Sequence, residues 1–295
     1  MNNTAPNPVL LGKLSRSKIL TRWQAASVGS GERRSRAKGA GMEFADHREY
    51  QIGDDLRHLD PHIHARTGKN FVRQYDVYRQ LPITILIDAS RSMAFGEPKQ
   101  KFTFAQNLAA SMAFIGLAGG DQVQVGVGTG DKVLWSPRFH GAMRAPMLFD
   151  WIDQQTPAKG GSFDGALRNA MRHFTERGLL IIMSDFWAME IQKEVNLLFA
   201  AGQEIWGMHI LTPQEIDPAR FGDGEVRMVD SEDGQEVEVT LDGGTVQRYR
   251  KAFDAWRDEV SSYFTKVQGR YITVPTDAAV DRLLINDWRS LGMIG

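Results

Sequence analysis

The chain has 295 residues, 42% of them hydrophobic and 24% charged, with a net charge of −1 and no cysteine. This is the composition of a globular protein with enough apolar material for one large domain or two small ones. It excludes disulfides, thiolate metal sites and a cysteine nucleophile. No apolar run reaches the length of a membrane span, and residues 1–8 are polar, without the apolar centre of a signal peptide. The expected location is therefore the cytoplasm of a bacterial-type cell, with membrane association through partners or by peripheral contact left open.

Charge is unevenly spread. Residues 1–40 carry Lys13, Arg16, Lys18, Arg22, Arg33, Arg34, Arg36 and Lys38 against Glu32 alone, a basic N-terminal arm on an acidic remainder. Such an arm serves an anionic partner or lies on its own acidic body. Trp23 is its one aromatic residue, too few for a single-strand stacking platform, so no nucleic-acid partner is expected. Leu10, Leu14 and Trp23 fall near helical spacing and predict a short amphipathic helix docked on the body. Residues 27–41, rich in Gly, Ser and Arg, read as a link. Residues 41–80 form a charged preface with no helical period, a turn at Gly53-Asp54-Asp55 and a strand-like run over 71–78. His58, His62 and His64 are interrupted by Asp60-Pro61 and read as surface or hydrogen-bonded histidines rather than a zinc site.

From residue 81 the pattern becomes regular. Ile83 to Ile87 is a β-branched apolar run suited to a strand buried on both faces, and it ends in Asp88, Ser90 and Ser92. A helix over 99–117 follows, with Ala105, Leu108, Met112 and Ile115 as its stripe and Gly119-Gly120 as its stop. Val123, Val125 and Val127 alternate as a strand, and residues 132–135 return antiparallel after a turn at 128–131. The glycines Gly126, Gly128 and Gly130 precede no helix and lack the Gly-Lys-Ser/Thr of a phosphate loop, so they belong to that hairpin. Helices are predicted over 142–155, from Ser162 onward, and over 190–201. Buried strands are predicted over 179–183, ending in Ser184-Asp185, and over 204–211. The polar, Gly-rich stretch 213–244 reads as an exposed β-hairpin insertion. Tyr249, Phe253, Trp256, Val260 and Tyr263 then mark the core face of a helix. A last strand is predicted over 270–274 and a last helix over 277–289. Alternating helices and strands predict an α/β fold, a doubly wound and mostly parallel sheet, carrying an N-terminal charged extension and the hairpin insertion. The organisation expected is a basic arm over 1–40, a charged preface over 41–80 and the α/β domain over 81–295.

Three predicted loops on one edge of that sheet offer oxygen ligands: Asp88, Ser90 and Ser92; Ser162; and Asp185. Singly, each has an ordinary explanation as a helix cap or turn residue. Together they favour a site for a hard cation, because the carboxyl ends of the strands are where such sheets bind ligands and because Mg²⁺ prefers oxygen donors and keeps several waters.

Asp88-x-Ser90-x-Ser92, the Gly160-Gly161-Ser162 loop and Asp185 resemble the metal-ion-dependent adhesion site of von Willebrand factor A domains. The resemblance implies a doubly wound sheet of about six strands. It also implies Mg²⁺ (or Mn²⁺) bound directly by Ser90 and Ser92, and by Ser162 where that family usually has Thr. Asp88 and Asp185 would supply charge, often through water, and an open coordination position would be filled by an acidic residue of a partner. A narrower resemblance rests on Gly41-Met-Glu-Phe-Ala-Asp46, Arg48-x-Tyr-x-x-Gly-Asp-Asp55, Arg57-x-x-Asp60 and Ala65-Arg-Thr-Gly68. These residues are similar to the bacterial family called domain of unknown function 58. This chain departs from it at Asp60-Pro61-His62, where tryptophan commonly follows the aspartate. Members typically work with MoxR-type AAA+ ATPases and other von Willebrand A proteins, often membrane-bound. The resemblance therefore implies a non-enzymatic, metal-dependent protein–protein interaction module that assists assembly or maturation of complexes. The alternative is a metal-dependent phosphoester hydrolase. Against it, a haloacid-dehalogenase-type phosphatase would carry a second Asp where Ser90 stands, and two-metal catalysis would need more carboxylates than Asp88 and Asp185.

Overall fold

The computed structural model describes residues 4–22, 42–54, 56–77, 80–96, 100–157, 163–187, 191–222, 224–229 and 236–295. These fall into two units, one built from residues 1–28 and 81–295 and the other from residues 29–80.

Residues 4–22 pack within the larger unit. Helix α1 (Pro8–Leu14) is started by the Asn7 side chain, which accepts the Leu10 N–H at 2.8 Å, with Pro8 in the first turn. Leu10 and Leu14 are buried in the main core. The Thr4 N–H donates to Asp153, and Asn107 donates to the Thr4 carbonyl. Beyond α1, Ile19 bridges antiparallel to Ile294, and Lys18 and Gly295 exchange backbone hydrogen bonds. Trp23 and the link lie outside the described residues.

In the smaller unit, β1 (Met42–Glu49) pairs antiparallel with β2 (Phe71–Val77), with a register shift between Phe44 and Asp46. Between them lies helix α2 (Pro61–Thr67), where no helical period is visible in the sequence. Six of its seven residues are exposed, so there is no apolar stripe to read. It is specified by its ends instead: Asp60 accepts from the His62 and Ile63 N–H groups, Pro61 opens it, and Gly68 at φ 69° closes it. Asp60 also bonds His47 at 2.9 Å. Arg48 Nη2 donates to both carboxylate oxygens of Asp54 at 2.9 Å. Arg48, Asp54, His47 and Asp60 of the preface thus bind one another, and His62 and His64 are exposed.

The larger unit is the α/β domain. Its elements are β3 (Pro82–Asp88), α3 (Lys101–Ala118), β4 (Gln122–Thr129), β5 (Lys132–Trp135), β6 (Phe139–His140), α4 (Ala145–Asp153), α5 (Phe163–Ala170), β7 (Gly178–Ser184), α6 (Gln192–Ala200), β8 (Gln203–Leu211), α7 (Pro213–Ile216), β9 (Gly224–Val229), β10 (Glu236–Leu241), α8 (Gly243–Lys266) and β11 (Arg270–Pro275). The sheet order is β11-β8-β7-β3-β4-β5. The first five strands are parallel, and β5 and β6 run antiparallel to β4. The chain leaves β3 to one side for β4, then returns to the other side for β7. The sheet therefore reverses winding between β3 and β7, the doubly wound arrangement the strand pattern predicts.

Alternate residues of the central strands enter two cores. Ile83, Ile85, Ile87, Leu179, Ile181 and Met183 pack in the core with α1, α3 and α4. Leu86, Leu180 and Ile182 pack with α5, α6 and α8. Helix α3 is buried well beyond its predicted stripe, because α1 and α4 cover the face that would otherwise meet water. At Gly116 an added Cβ would lie 2.9 Å from Ile83 and Val123, so the helix approaches the sheet closely there. The predicted last helix is interrupted: Val280–Arg282 leads into a π-helical turn, Leu283–Asp287, and then Trp288–Ser290. The hairpin insertion forms as β9 paired antiparallel with β10.

Gly207 in β8 lies under the Phe264 ring, and a Cβ there would come within 2.5 Å of ring carbon Cζ. Both residues are buried. Gly207→Ala is expected to lower unfolding free energy by about 1–3 kcal/mol through overpacking. Urea denaturation checks this.

Candidate metal centre

The carboxyl ends of β3 and β7 are adjacent across the reversal point, and the residues that follow them are polar and buried. Asp88 closes β3 at 1% exposure. Its Oδ1 accepts the Ser90 N–H at 2.7 Å, a tight side-chain turn, and its Oδ2 accepts the Ser184 hydroxyl at 2.5 Å. The Ser90 and Ser92 hydroxyls hydrogen-bond each other at 3.1 Å. Ser92 is held in place by a single 3₁₀ turn, Arg91–Ala94. From β7, Ser184 Oγ also accepts the Phe186 N–H at 2.8 Å. Asp185 follows at 1% exposure, its Oδ1 accepting the Trp187 N–H at 3.2 Å. Phe186 between them adopts φ 48°, a left-handed conformation that a bulky residue holds only under constraint from its surroundings.

Asp185 Oδ2 is bound by the Lys101 ammonium at 2.7 Å, and Lys101 also donates to Glu215 Oε1 at 2.5 Å. Glu215 is fixed by a capping box at the start of α7. Its Oε2 accepts the Thr212 N–H and hydroxyl, while Thr212 Oγ1 accepts the Glu215 N–H.

Burial, and then the nearby charge of Asp185, push the Asp88 carboxyl up to about 7. Burial lowers the proton affinity of Lys101, but Asp185 and Glu215 outweigh it and hold the ammonium above its ordinary value. His209, in β8 behind the site, is pushed down to about 3 by burial and is neutral. Its Nδ1 lies 2.5 Å from the Tyr271 hydroxyl, and its ring meets Phe186 and Trp256 edge-on.

Four of the five residues selected from the sequence, Asp88, Ser90, Ser92 and Asp185, lie at these two adjacent strand ends. Ser162 lies outside the described residues. Sequence reasoning missed Ser184, Lys101 and Glu215. A lysine in the first turn of a helix was the available signal for Lys101, since a cation is disfavoured at that end unless an anion is close by. Thr212-Pro-x-Glu215 was the signal for the capping box.

A cation fits this chemistry. Among the described residues there is no group of three or more His, Cys, Asp or Glu able to hold a metal; the polar side chains at these strand ends, Asp88, Ser90, Ser92 and Asp185, offer oxygen atoms only. Such a set suits a hard ion that keeps waters rather than a closed zinc site. Lys101 matches the charge of Asp185, whereas Asp88 is met only by neutral donors, so positive charge is lacking at Asp88.

A doubly wound α/β domain with a buried, oxygen-rich polar cluster at its reversal point is the class of protein these features define. The family model described as "Protein of unknown function DUF58" matches residues 46–260, and the chain belongs to that family. It is 25% identical over 275 residues to uncharacterized protein Rv1480 of Mycobacterium tuberculosis (strain ATCC 25618 / H37Rv), covering 92% of this chain and 86% of the relative. Among solved structures it is similar to the conserved hypothetical protein BatB from Bacteroides thetaiotaomicron, with a TM-score of 0.45, 14% identity, and 72% of this chain and 98% of that one covered. It is also similar to the SpRpn10 VWA domain, with a TM-score of 0.41, 12% identity, and 71% and 95% covered. Among the described residues no helix is long and apolar enough to cross a membrane.

Asp88 binds its proton more tightly when folded than its ordinary value of 3.8 allows. Its contribution to stability is therefore full below about pH 4 and lost as pH rises to about 7. In chelator, the unfolding free energy of wild type is expected to fall across that interval relative to Asp88→Asn. Urea titrations at intervals of pH test this, and parallel curves would contradict it.

Proposed function

We propose that this protein is a non-enzymatic interaction module whose polar cluster at the ends of β3 and β7 holds Mg²⁺ or Mn²⁺. In this reading Ser90, Ser92 and Ser162 contribute hydroxyl ligands, and Asp88 and Asp185 contribute charge. The bound ion supplies an open coordination position for a carboxylate from a partner. The chain's own residues orient that position. The Ser90 N–H and the Ser184 hydroxyl fix both oxygens of Asp88, and the Trp187 N–H and the Lys101 ammonium fix those of Asp185. The observation that carries the reading is the pair of buried carboxylates, Asp88 and Asp185, beside the mutually hydrogen-bonded Ser90 and Ser92 hydroxyls at the reversal point of the sheet.

The partner proposed is a MoxR-type AAA+ ATPase, with other von Willebrand A proteins as further partners, in the assembly or maturation of protein complexes. Family membership supports this direction, and the net negative charge beyond residue 40 argues against nucleic acid.

Calorimetric titration with Mg²⁺ and Mn²⁺ is expected to show binding by wild type and loss of binding in Asp88→Ala. Co-purification with a MoxR-type ATPase is expected to depend on the cation and to fail in that variant. Capture that survives both chelator and Asp88→Ala overturns the reading. Turnover of a generic phosphoester, lost in Asp88→Ala, would replace it with hydrolysis.

A further inference from the structure

Lys101 is 1% exposed and stands first in α3, at the positive end of the helix dipole, with no acidic residue in that first turn. A buried lysine ordinarily extends its ammonium to water or gives up its proton. This one does neither: its ammonium lies between Asp185 and Glu215, at 2.7 and 2.5 Å.

The cluster is electrostatically lopsided. Asp185 has a full positive charge on one oxygen and a backbone N–H on the other. Asp88 is bound by neutral donors, the Ser90 N–H and the Ser184 hydroxyl. A divalent ion placed among Asp88, Ser90 and Ser92 would therefore meet an Asp185 whose charge is already matched, with the ammonium facing it across that carboxylate.

Glu215 gives the ammonium somewhere else to rest. Its Oε2 is fully engaged by Thr212, which leaves Oε1 pointed at Lys101.

We propose that Lys101 is a tethered cation that competes with a divalent ion for Asp185, with Glu215 retaining the ammonium when the ion prevails. This rests on the cation site described under Proposed function, and it adds the residue that sets how tightly that site binds. The site is weakened by design of its neighbours rather than by poor ligands. A partner's carboxylate, by adding negative charge at the ion, shifts the competition towards the occupied state.

The test is calorimetry with Mn²⁺ on wild type, Lys101→Met and Glu215→Gln, with thermal unfolding of each in chelator and in saturating Mn²⁺. Lys101→Met is expected to bind Mn²⁺ at least about tenfold more tightly, because a unit charge a few ångströms away is removed. It is also expected to melt lower than wild type in chelator and to gain more from Mn²⁺. Glu215→Gln leaves the ammonium with Asp185 alone and is expected to bind several-fold more weakly. A purely structural Lys101 would lower the melting temperature without tightening the ion. Equal affinities in all three proteins, or tighter binding in Glu215→Gln, overturn the competition while leaving the cation site standing. No binding in any of the three removes the site and the competition with it. Should Lys101→Met fail to fold, Glu215→Gln decides alone, and an affinity equal to wild type overturns the proposal.

Discussion

Asp88 and Asp185 are carboxylates held out of water within reach of each other's charge, and the surrounding structure is arranged to tolerate them. Neutral donors from Ser90 and Ser184 take up the oxygens of one, and a buried ammonium takes up an oxygen of the other. Paired buried charges contribute little net stability, but removing one partner leaves the other stranded at considerable cost. That constraint extends outwards through Lys101 to Glu215, to the capping box at Thr212, and to Tyr249, whose hydroxyl donates to the Glu215 carbonyl. A polar cluster at the sheet edge is thereby tied to the long helix α8 and to the segment that leads into the hairpin.

The rigidity beneath this cluster comes from strand parity. Successive side chains of β3 and β7 feed opposite cores, so neither strand can slip by one residue without exchanging its two faces. Both strands end in register, which sets Asp88 beside the β7 exit rather than a pleat away. Gly178 starts β7 where an added Cβ would lie 2.4 Å from the Pro82 carbonyl oxygen, so the two strands run tightly together from their first residues.

The fold was legible in the sequence wherever burial imposed a period. The β-branched runs of β3, β7 and β8 and the aromatic spacing of α8 are direct products of being packed on a sheet. Where no face is buried, the period vanishes: α2 is exposed almost all round and is marked only by Asp60, Pro61 and Gly68. Helix α3 shows the opposite case, since burial on all sides erases a stripe as surely as exposure does. The oxygen ligands at the ends of β3 and β7 were visible as polar residues interrupting apolar runs. The counter-charge was not, because Lys101 and Glu215 are separated from Asp185 by 84 and 30 positions in the chain, and only the fold brings them together.

The pairing of Ile19 with Ile294, and of Lys18 with Gly295, bears on the order in which the chain matures. Residues 29–80 hold both partners of the β1–β2 pair before residue 81 is synthesised. The larger unit joins segments from both sides of that pair, since residues 18–20 bond to residues 293–295. The partners of residues 18–20 therefore follow Asp185 in the chain by more than a hundred residues, so that clasp depends on a contact of much longer range than the β3–β7 pairing that places Asp88 and Asp185.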